Sequence, residues 1–337
     1  MVKYKKIEKT KIPEFIKDLT ENYKVFGPVK KDGTYVFEEF NPEKPFEIKY
    51  TKTMVSAKKI FFPPEEVTME FKGLKVKEKI VEEKIVLFGV HPCDINAMLI
   101  LDKMFSLDHP DPYYWARRKN LVVIGVECEP TDTCFCKSMG TFELREGYDL
   151  FFREMDENNY CVYVASEIGE KLTDTALFED VDPTIALEIE KRSIEKIKEE
   201  IPVKIEGLPE KIHSMYKNDK IWEEIAKKCL GCGNCTMVCP VCCCFNVVDT
   251  VDFDFKTFKR IRRWDACTLQ EFSMVAGGLN FRPAIKHRIR NWFYDKFKVF
   301  VDKVGVPGCV GCGRCATYCP AKIDVRKEIS KIWEEFL

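Results

Sequence analysis

Two runs of consecutive apolar residues interrupt the charged background of the first half of the chain. They span 84–90 and 121–126, and their length and lack of alternation are typical of strands buried on both faces. The segment between them carries apolar residues at helical spacing to about Phe105, with Asp94 placed to cap its start. A strand, a helix and a second strand in this order predict two parallel neighbours.

Weaker patterns fill the rest of this half. They predict helices at 11–22 and 183–200, and hairpins that pair 24–28 with 34–40 and 148–152 with 160–165. Proline and glycine within 201–209 then indicate a linker, and a helix is expected over 209–228. We therefore expect an α+β protein. An α/β domain with a small, partly parallel sheet would occupy 1–208, and an α-helical ferredoxin-type dicluster domain would occupy 209–337.

The composition excludes several classes of function. The chain has 337 residues, of which 45% are hydrophobic, and its formal net charge is -1. This balance gives no electrostatic reason to expect binding to nucleic acid or to an anionic membrane. No apolar signal-peptide segment follows the charged first residues, and no apolar run is long enough to span a bilayer. We therefore expect a cytoplasmic protein.

The seventeen cysteines carry the chemistry, because such a number in a cytoplasmic chain indicates metal binding rather than disulfides. Two runs, 229–240 and 309–320, have the spacing C-x2-C-x2-C-x3-C-P, which holds 4Fe-4S clusters in bacterial ferredoxins. The last cysteine of each run usually binds the other cluster, so we expect crossed ligand sets. One set is Cys229, Cys232, Cys235 and Cys319, and the other is Cys309, Cys312, Cys315 and Cys239. Zinc knuckles are disfavoured, because they usually come as paired C-x2-C motifs.

Four further cysteines lie where the two buried strands end. Cys93 follows the first strand, and Cys128, Cys134 and Cys136 follow the second. Neighbouring parallel strands would bring these thiols together, because functional loops gather at the carboxyl ends of such strands. The C-x5-C-x-C spacing is not a standard motif, so three interpretations stay open: a third 4Fe-4S cluster, which we favour, a zinc ion, or cysteines buried without metal. Burial without metal is what we expect of Cys161, which lies in an alternating strand.

A long connection, 241–308, separates the two cysteine runs. A helical pattern at 284–304 favours the α-helical ferredoxin arrangement over a compact bacterial ferredoxin. The connection also contains Cys242, Cys243, Cys244 and Cys267. These thiols are candidate metal ligands, candidate tuning groups for an adjacent cluster, or inert. His91 and His109 are expected to hydrogen-bond to the backbone rather than to bind metal.

Motifs for other cofactors are missing from the sequence. No G-x-G-x-x-G follows a strand and opens a helix, so a dinucleotide-binding fold is not expected. The separate C-x-x-C pairs of nickel-binding hydrogenase subunits are also absent. We therefore expect neither flavin, nickel nor nucleotide in this chain, and we assign no catalytic residue.

Several short motifs carry a family resemblance. In order, they are His91-Pro-Cys-Asp94, Tyr113-Tyr-Trp-Ala-Arg-Arg118, Glu127-Cys-Glu-Pro130 with Thr133-Cys-Phe-Cys136, Gly147-Tyr-Asp149, Cys239-Pro-Val-Cys242 with Cys244-Phe245, Trp264-Asp-Ala-Cys267 and Val275-Ala-Gly-Gly-Leu-Asn-Phe-Arg-Pro283. From about residue 50 onward the chain resembles the beta subunits of cytoplasmic sulfhydrogenases, the soluble nickel–iron hydrogenases of hyperthermophilic archaea. It is also similar to the A subunit of anaerobic sulfite reductase.

The resemblance implies a heterotetramer and supports the third cluster. In this assembly a nickel–iron subunit handles hydrogen, a small iron–sulfur subunit carries its electrons, and a flavin subunit meets NAD(P)H. This chain would relay electrons near the flavin end, with sulfur, polysulfide or ferredoxin as candidate acceptors. The alternatives are an electron-transfer subunit of an anaerobic sulfite reductase-like complex, a reductase that acts at its own cysteines, and a structural iron–sulfur module.

Overall fold

The computed structural model describes residues 2–253 and 255–334. Its strands are β1 (Lys3–Glu8), β2 (Lys24–Lys31), β3 (Thr34–Glu39), β4 (Glu65–Lys72), β5 (Lys75–Glu78), β6 (Ile85–Val90), β7 (Leu121–Val126), β8 (Leu150–Glu154), β9 (Asn159–Val164), β10 (Glu179–Asp180), β11 (Phe245–Val251) and β12 (Thr257–Trp264). Its α-helices are α1 (Ile12–Leu19), α2 (Lys58–Phe61), α3 (Pro92–Met104), α4 (Pro112–Arg118), α5 (Glu167–Thr173), α6 (Pro183–Glu195), α7 (Leu208–Ser214), α8 (Asp219–Ala226), α9 (Asn234–Met237), α10 (Ile285–Tyr294), α11 (Phe300–Val304), α12 (Arg314–Thr317) and α13 (Val325–Glu334).

A mixed sheet forms the first half of the molecule, with the strand order β10-β1-β9-β8-β7-β6-β2-β3. The four strands β2, β6, β7 and β8 are parallel, and the outer pairings are antiparallel. The partly parallel sheet and the parallel pairing of the two apolar runs are thus confirmed, although eight strands make the sheet larger than expected. Both predicted hairpins also form, as β2 with β3 and β8 with β9.

Helices cover both faces of this sheet, so its central strands are buried along their whole length. Successive side chains of a strand point to opposite faces. On one face Phe88 packs in a core that includes Phe15 of α1. On the other face Leu87 packs with Met98 of α3 and Tyr114 of α4. The carboxyl ends of β6 and β7 therefore lie at the edge of a rigid layer.

A second sheet is antiparallel, with the order β11-β12-β4-β5. The connection between the cysteine runs was expected to be helical, and 285–304 is, but β11 and β12 in its first part were not predicted. They pair with β4, and Arg262 on β12 bonds to the buried carboxylate of Glu66. This sheet joins residues from both sides of the predicted boundary at 208, and that boundary stays a prediction.

Two local predictions were wrong. Asp94 does not cap α3: His91 is the N-cap residue, Pro92 opens the helix, and the Asp94 carboxylate binds Arg314. The single helix expected over 209–228 is two helices, α7 and α8. The indole N–H of Trp222 donates to the backbone carbonyl of Met215, so a tertiary hydrogen bond stabilises the turn between them.

Candidate iron–sulfur sites

Cysteines from both runs line a first cavity. They are Cys229, Cys232, Cys235 and Cys319, and Cys315 forms part of the same wall. Helix α8 ends just before Cys229, and Cys235 lies in the short helix α9. Trp292 and Phe293 of α10 close the cavity with apolar surface. The structure thus brings together the first of the two crossed sets.

Backbone N–H groups point at the sulfur atoms in both runs. Gly231 donates to Cys229 Sγ at 3.3 Å, and Gly311 donates to Cys309 Sγ at 3.5 Å. Ile323 donates to Cys319 Sγ at 3.3 Å. Such bonds favour a negatively charged sulfur, as a metal ligand requires, and hydrogen bonds to sulfur also set the potential of a bound cluster.

Cys239 and Cys312 of the second crossed set lie in the interior, in one apolar cluster with residues of α3. Burial raises the pKa of Cys315, and the neighbouring thiols of Cys309, Cys312, Cys239 and Cys235 raise it further. Cys315 thus lies near the other three cysteines of its set and also near Cys235 of the first set. Burial also raises the pKa of Cys309, to about 12.

A buried lysine hydrogen-bonds to a cysteine of this second set. Lys296 lies in the π-helical turn Asp295–Val299 between α10 and α11, and its ammonium donates to Cys239 Sγ at 3.2 Å and to Gly308 O at 2.8 Å. Burial lowers the pKa of Lys296, but the sulfur atoms of Cys239 and Cys242 outweigh burial, so its pKa is raised. An ammonium held this way offsets negative charge on the sulfur ligands.

The extra cysteines of the connection lie next to cysteines of the two sets. The Cys242 thiol hydrogen-bonds to Cys239, which lowers the pKa of Cys239. In the same way the Cys244 thiol hydrogen-bonds to Cys267, which lies near Cys235. Cys243 packs among apolar side chains. The ligand, tuning and inert roles considered for Cys242, Cys244 and Cys267 from the sequence stay predictions.

A second cavity collects the cysteines that follow the parallel strands. It is lined by Cys93, Cys128, Cys134 and Cys136, and also by His91, Lys52, Arg314 and Cys312. Burial raises the pKa of Cys128, and the thiols of Cys136 and Cys134 raise it further. Cys161, by contrast, is fully buried in the core on one face of the large sheet.

Buried nitrogen atoms without hydrogen-bond partners point to an occupant in each cavity. Among the described residues, His91 Nε2 and Trp292 Nε1 are buried and have no hydrogen-bond partner. His91 lines the second cavity and stacks on Tyr50 with the ring centroids 3.9 Å apart, and Trp292 lines the first. Burying such an atom without a partner costs about 1–3 kcal/mol. The sulfide of a bound cluster would accept from the Trp292 N–H, and from His91 in the tautomer protonated at Nε2. The expected backbone bond of His91 is thus not formed through Nε2.

The second run packs directly against the loop that carries Cys134 and Cys136. The Phe135 N–H donates to Gly311 O at 2.8 Å, and the Thr141 hydroxyl donates to Val310 O at 2.7 Å. Gly311 has φ +64, and a Cβ there would lie 2.5 Å from the backbone carbon of Phe135. Gly231, at the equivalent place in the first run, has φ +62, but its Cβ would meet nothing closer than 3.4 Å.

The pair of glycines makes a matched test of this packing. We expect Gly311→Ala and Gly231→Ala to share a backbone penalty of about 1–2 kcal/mol, because both have positive φ. Gly311→Ala should cost roughly 1–3 kcal/mol more, because its methyl group meets backbone atoms. The measurement is the temperature at which the anaerobic protein loses its iron–sulfur absorbance. Equal losses in the two variants would contradict the close approach.

A buried ion pair bridges the second set and the second cavity. Arg314 follows Cys312 and Gly313, and Asp94 follows Cys93. Two parallel hydrogen bonds of 2.7 Å join the guanidinium to the carboxylate, and Arg314 also donates to the backbone oxygen of Thr53 at 2.8 Å. Both side chains are almost completely buried.

In the ranges 2–253 and 255–334, no three Cys, His, Asp or Glu side chains gather at the spacing of a single metal ion.

Comparison with known proteins identifies the family. Residues 228–323 match the model of a 4Fe-4S dicluster domain. The chain is also 38% identical to sulfhydrogenase 2 subunit beta of Pyrococcus furiosus over 338 aligned positions, which cover 99% of this chain and 99% of that relative. The chain belongs to the sulfhydrogenase beta-subunit family. The match extends beyond the expected start near residue 50, and no solved structure matches the chain.

The dicluster match agrees with the geometry of this beta-subunit family member. Its limits contain both cysteine runs, the connection between them and Lys296. Across the described part of the chain, no helix is both long and apolar enough to cross a bilayer.

Sequence reasoning missed three charged residues at the sites, namely Lys52, Lys296 and Arg314. Lysine and arginine are rarely buried, so their positions carried no signal of their own. Arg314 offered one clue, because the first run has Asn234 at the equivalent place. The Asn234 amide donates to the Tyr318 carbonyl. At this position the first run therefore has a neutral amide, whereas the second has a charged guanidinium.

Proposed function

We propose that this chain holds three 4Fe-4S clusters in series and relays electrons along them. The first would be bound by Cys229, Cys232, Cys235 and Cys319, the second by Cys309, Cys312, Cys315 and Cys239, and the third by Cys93, Cys128, Cys134 and Cys136. When bound, each cluster supplies a centre that gains and loses one electron. Family membership gives the broader activity: the chain is an iron–sulfur electron-transfer subunit of a hydrogenase.

One observation carries the proposal of a series. Cys315 belongs to the second ligand set but lines the cavity of the first, and Cys312 of the second set lines the cavity of the third. Each pair of neighbouring sites therefore shares a wall of one cysteine. This order leaves the first and third sites as the two ends of the chain of centres.

The residues around the sites suit anionic clusters. Thiolate ligands and sulfides make a cluster negative, and Lys296 places positive charge beside the second site. Arg314 is neutralised by its pairing with Asp94. A nearby cation favours the reduced form, because it stabilises the added electron. The Trp292 indole offers a free N–H donor to the first site, and His91 Nε2 offers one to the third in the tautomer that carries the proton there.

The proposed setting follows from the family. We place the chain in the cytoplasm, in an assembly with a nickel–iron subunit, a small iron–sulfur subunit and a flavin subunit that uses NAD(P)H. This chain would bind neither flavin, nickel nor nucleotide, and sulfur, polysulfide or ferredoxin would be acceptors. The two-domain division at 208 is part of the proposal, with the first two clusters in the second domain.

The third site has a direct test in a pair of cysteine variants. In the anaerobically purified native assembly, we expect Cys128→Ala to lose about four iron atoms per chain, because four irons form each cubane. Cys161→Ala removes a core thiol that does not line the cavity and should keep its iron. Iron analysis and electron paramagnetic resonance of the reduced protein provide the measurement. An unchanged iron content in Cys128→Ala would contradict a third cluster.

A further inference from the structure

The first site opens onto the protein surface. Cys232 is exposed, whereas the other three cysteines of this set are half-buried. Leu230 lies two residues before it and is 66% exposed. An electron can therefore enter or leave the chain of centres here through a short path.

An ordered loop extends this apolar surface. Met274, Val275, Leu279 and Phe281 are all exposed, and Phe281 reaches 67%. The loop is held by backbone bonds from Val275 N–H to Leu279 O at 2.9 Å and from Phe281 N–H to Ser273 O at 3.1 Å. The Asn280 amide also anchors the loop by donating to Gln270 O at 2.6 Å. The apolar side chains are thus presented by a fixed backbone.

Arg288 joins the loop to the first cysteine run. Its guanidinium lies against Gly231, 3.4 Å from where a Cβ would sit. The same guanidinium donates to the backbone oxygens of Arg282 at 3.2 Å and of Pro283 at 2.8 Å, just after Phe281. This link places the loop close to Leu230, which itself lines the first cavity. We call Leu230, Met274, Val275, Leu279 and Phe281 the apolar patch.

Exposed lysines flank the apolar patch in the sequence, and one exposed carboxylate, Glu271, lies at the start of its loop. Lys227 and Lys228 are exposed just before the first run, and Lys322 is exposed beside Pro320 at the same cavity. Like charges facing each other across an interface cost several kcal/mol, so two copies of this patch would repel one another. A partner with acidic side chains around an apolar centre fits this surface.

We propose that the apolar patch is the docking surface for a partner subunit that carries its own redox group and an acidic rim. This inference rests on the proposed function, because it takes the first site as one end of the relay. Leu230 of the patch lines the first cavity together with the exposed Cys232, so a partner seated there would bring its redox group next to the first cluster. The apolar centre supplies the stable contact, and the basic rim orients the partner.

The test compares two apolar-to-acidic variants of this chain in the native assembly. Phe281→Glu introduces a carboxylate at the centre of the patch. Leu187→Glu makes the same kind of change at a residue of α6 that is 54% exposed and lies outside the patch. The measurements are retention of each subunit on a tag carried by this chain, identified by mass spectrometry, and the rate at which the assembly's own donor reduces this chain.

We expect Phe281→Glu to weaken retention of a flavin-bearing or iron–sulfur-bearing subunit by about tenfold or more, as for central interface residues. The reduction rate should fall with it, while the iron content of this chain stays unchanged. Phe281→Leu keeps an apolar side chain, so retention and the reduction rate should stay near their wild-type values. The proposal fails if Phe281→Glu and Leu187→Glu behave alike, or if only a second copy of this chain is lost. Missing iron in the wild-type chain would instead overturn the proposed function.

Discussion

Cys319→Ala should empty the first cluster site rather than the second, although Cys319 belongs to the second run. The structure places Cys319 in the cavity of Cys229, Cys232 and Cys235, so its loss removes the fourth ligand of that set. We expect about four iron atoms per chain to be lost. The three thiols of the first run should then react with iodoacetamide in the native protein, as peptide mass spectrometry will show.

The mirror variant is the control for this crossing. Cys239→Ala should expose Cys309, Cys312 and Cys315 to alkylation and leave the first run protected. If Cys319→Ala instead makes the thiols of its own run reactive, each run binds its own cluster and the crossed assignment is wrong. Both outcomes are read on the same protein under the same conditions, so a general loss of folding would appear as labelling of all these sites.

Arg314→Met should destabilise the protein by about 3–5 kcal/mol, because it leaves the Asp94 carboxylate buried and unpaired. With an average unfolding entropy per residue, this loss corresponds to a fall in Tm of roughly 4–7 °C. The measurement is the anaerobic melting of the iron–sulfur absorbance. The second and third sites should be affected first, because Arg314 lines the wall between them.

An exposed arginine–aspartate pair, also joined by two hydrogen bonds, provides the control. Arg260 and Asp249 also form two parallel hydrogen bonds, both 2.8 Å long, but each side chain is about half exposed. Arg260→Met should cost less than about 1 kcal/mol, because water screens exposed pairs. The double variant Arg314→Met/Asp94→Leu should recover most of the loss by removing the unpaired charge. Equal effects of Arg314→Met and Arg260→Met would contradict the role of the buried pair.

Local sequence patterns were enough to predict the structure where residues close to one another in the sequence determine it. The apolar runs of β6 and β7 predicted buried parallel strands, and their ends predicted where Cys93 and Cys128 would meet. The cysteine spacing predicted the dicluster domain. Strong periodicity and a motif of fixed spacing leave little for distant residues to change.

Distant contacts explain what the sequence did not reveal. The break between α7 and α8 depends on the hydrogen bond from Trp222 to Met215, and no proline or glycine marks it. Strand β12 is rich in arginine and lysine, and it is stabilised by pairing with β4, nearly two hundred residues earlier. The bond between Arg314 and Asp94 joins residues that are 220 positions apart, so neither side chain signalled it alone.

Diffraction data collected on both sides of the iron absorption edge, from crystals of the anaerobically purified native assembly, test the relay most directly. The account predicts three iron peaks in this chain: one among Cys229, Cys232, Cys235 and Cys319, one among Cys309, Cys312, Cys315 and Cys239, and one among Cys93, Cys128, Cys134 and Cys136. Anomalous signal at the zinc edge instead, or no iron beside the eight thiols of the two runs, would contradict it.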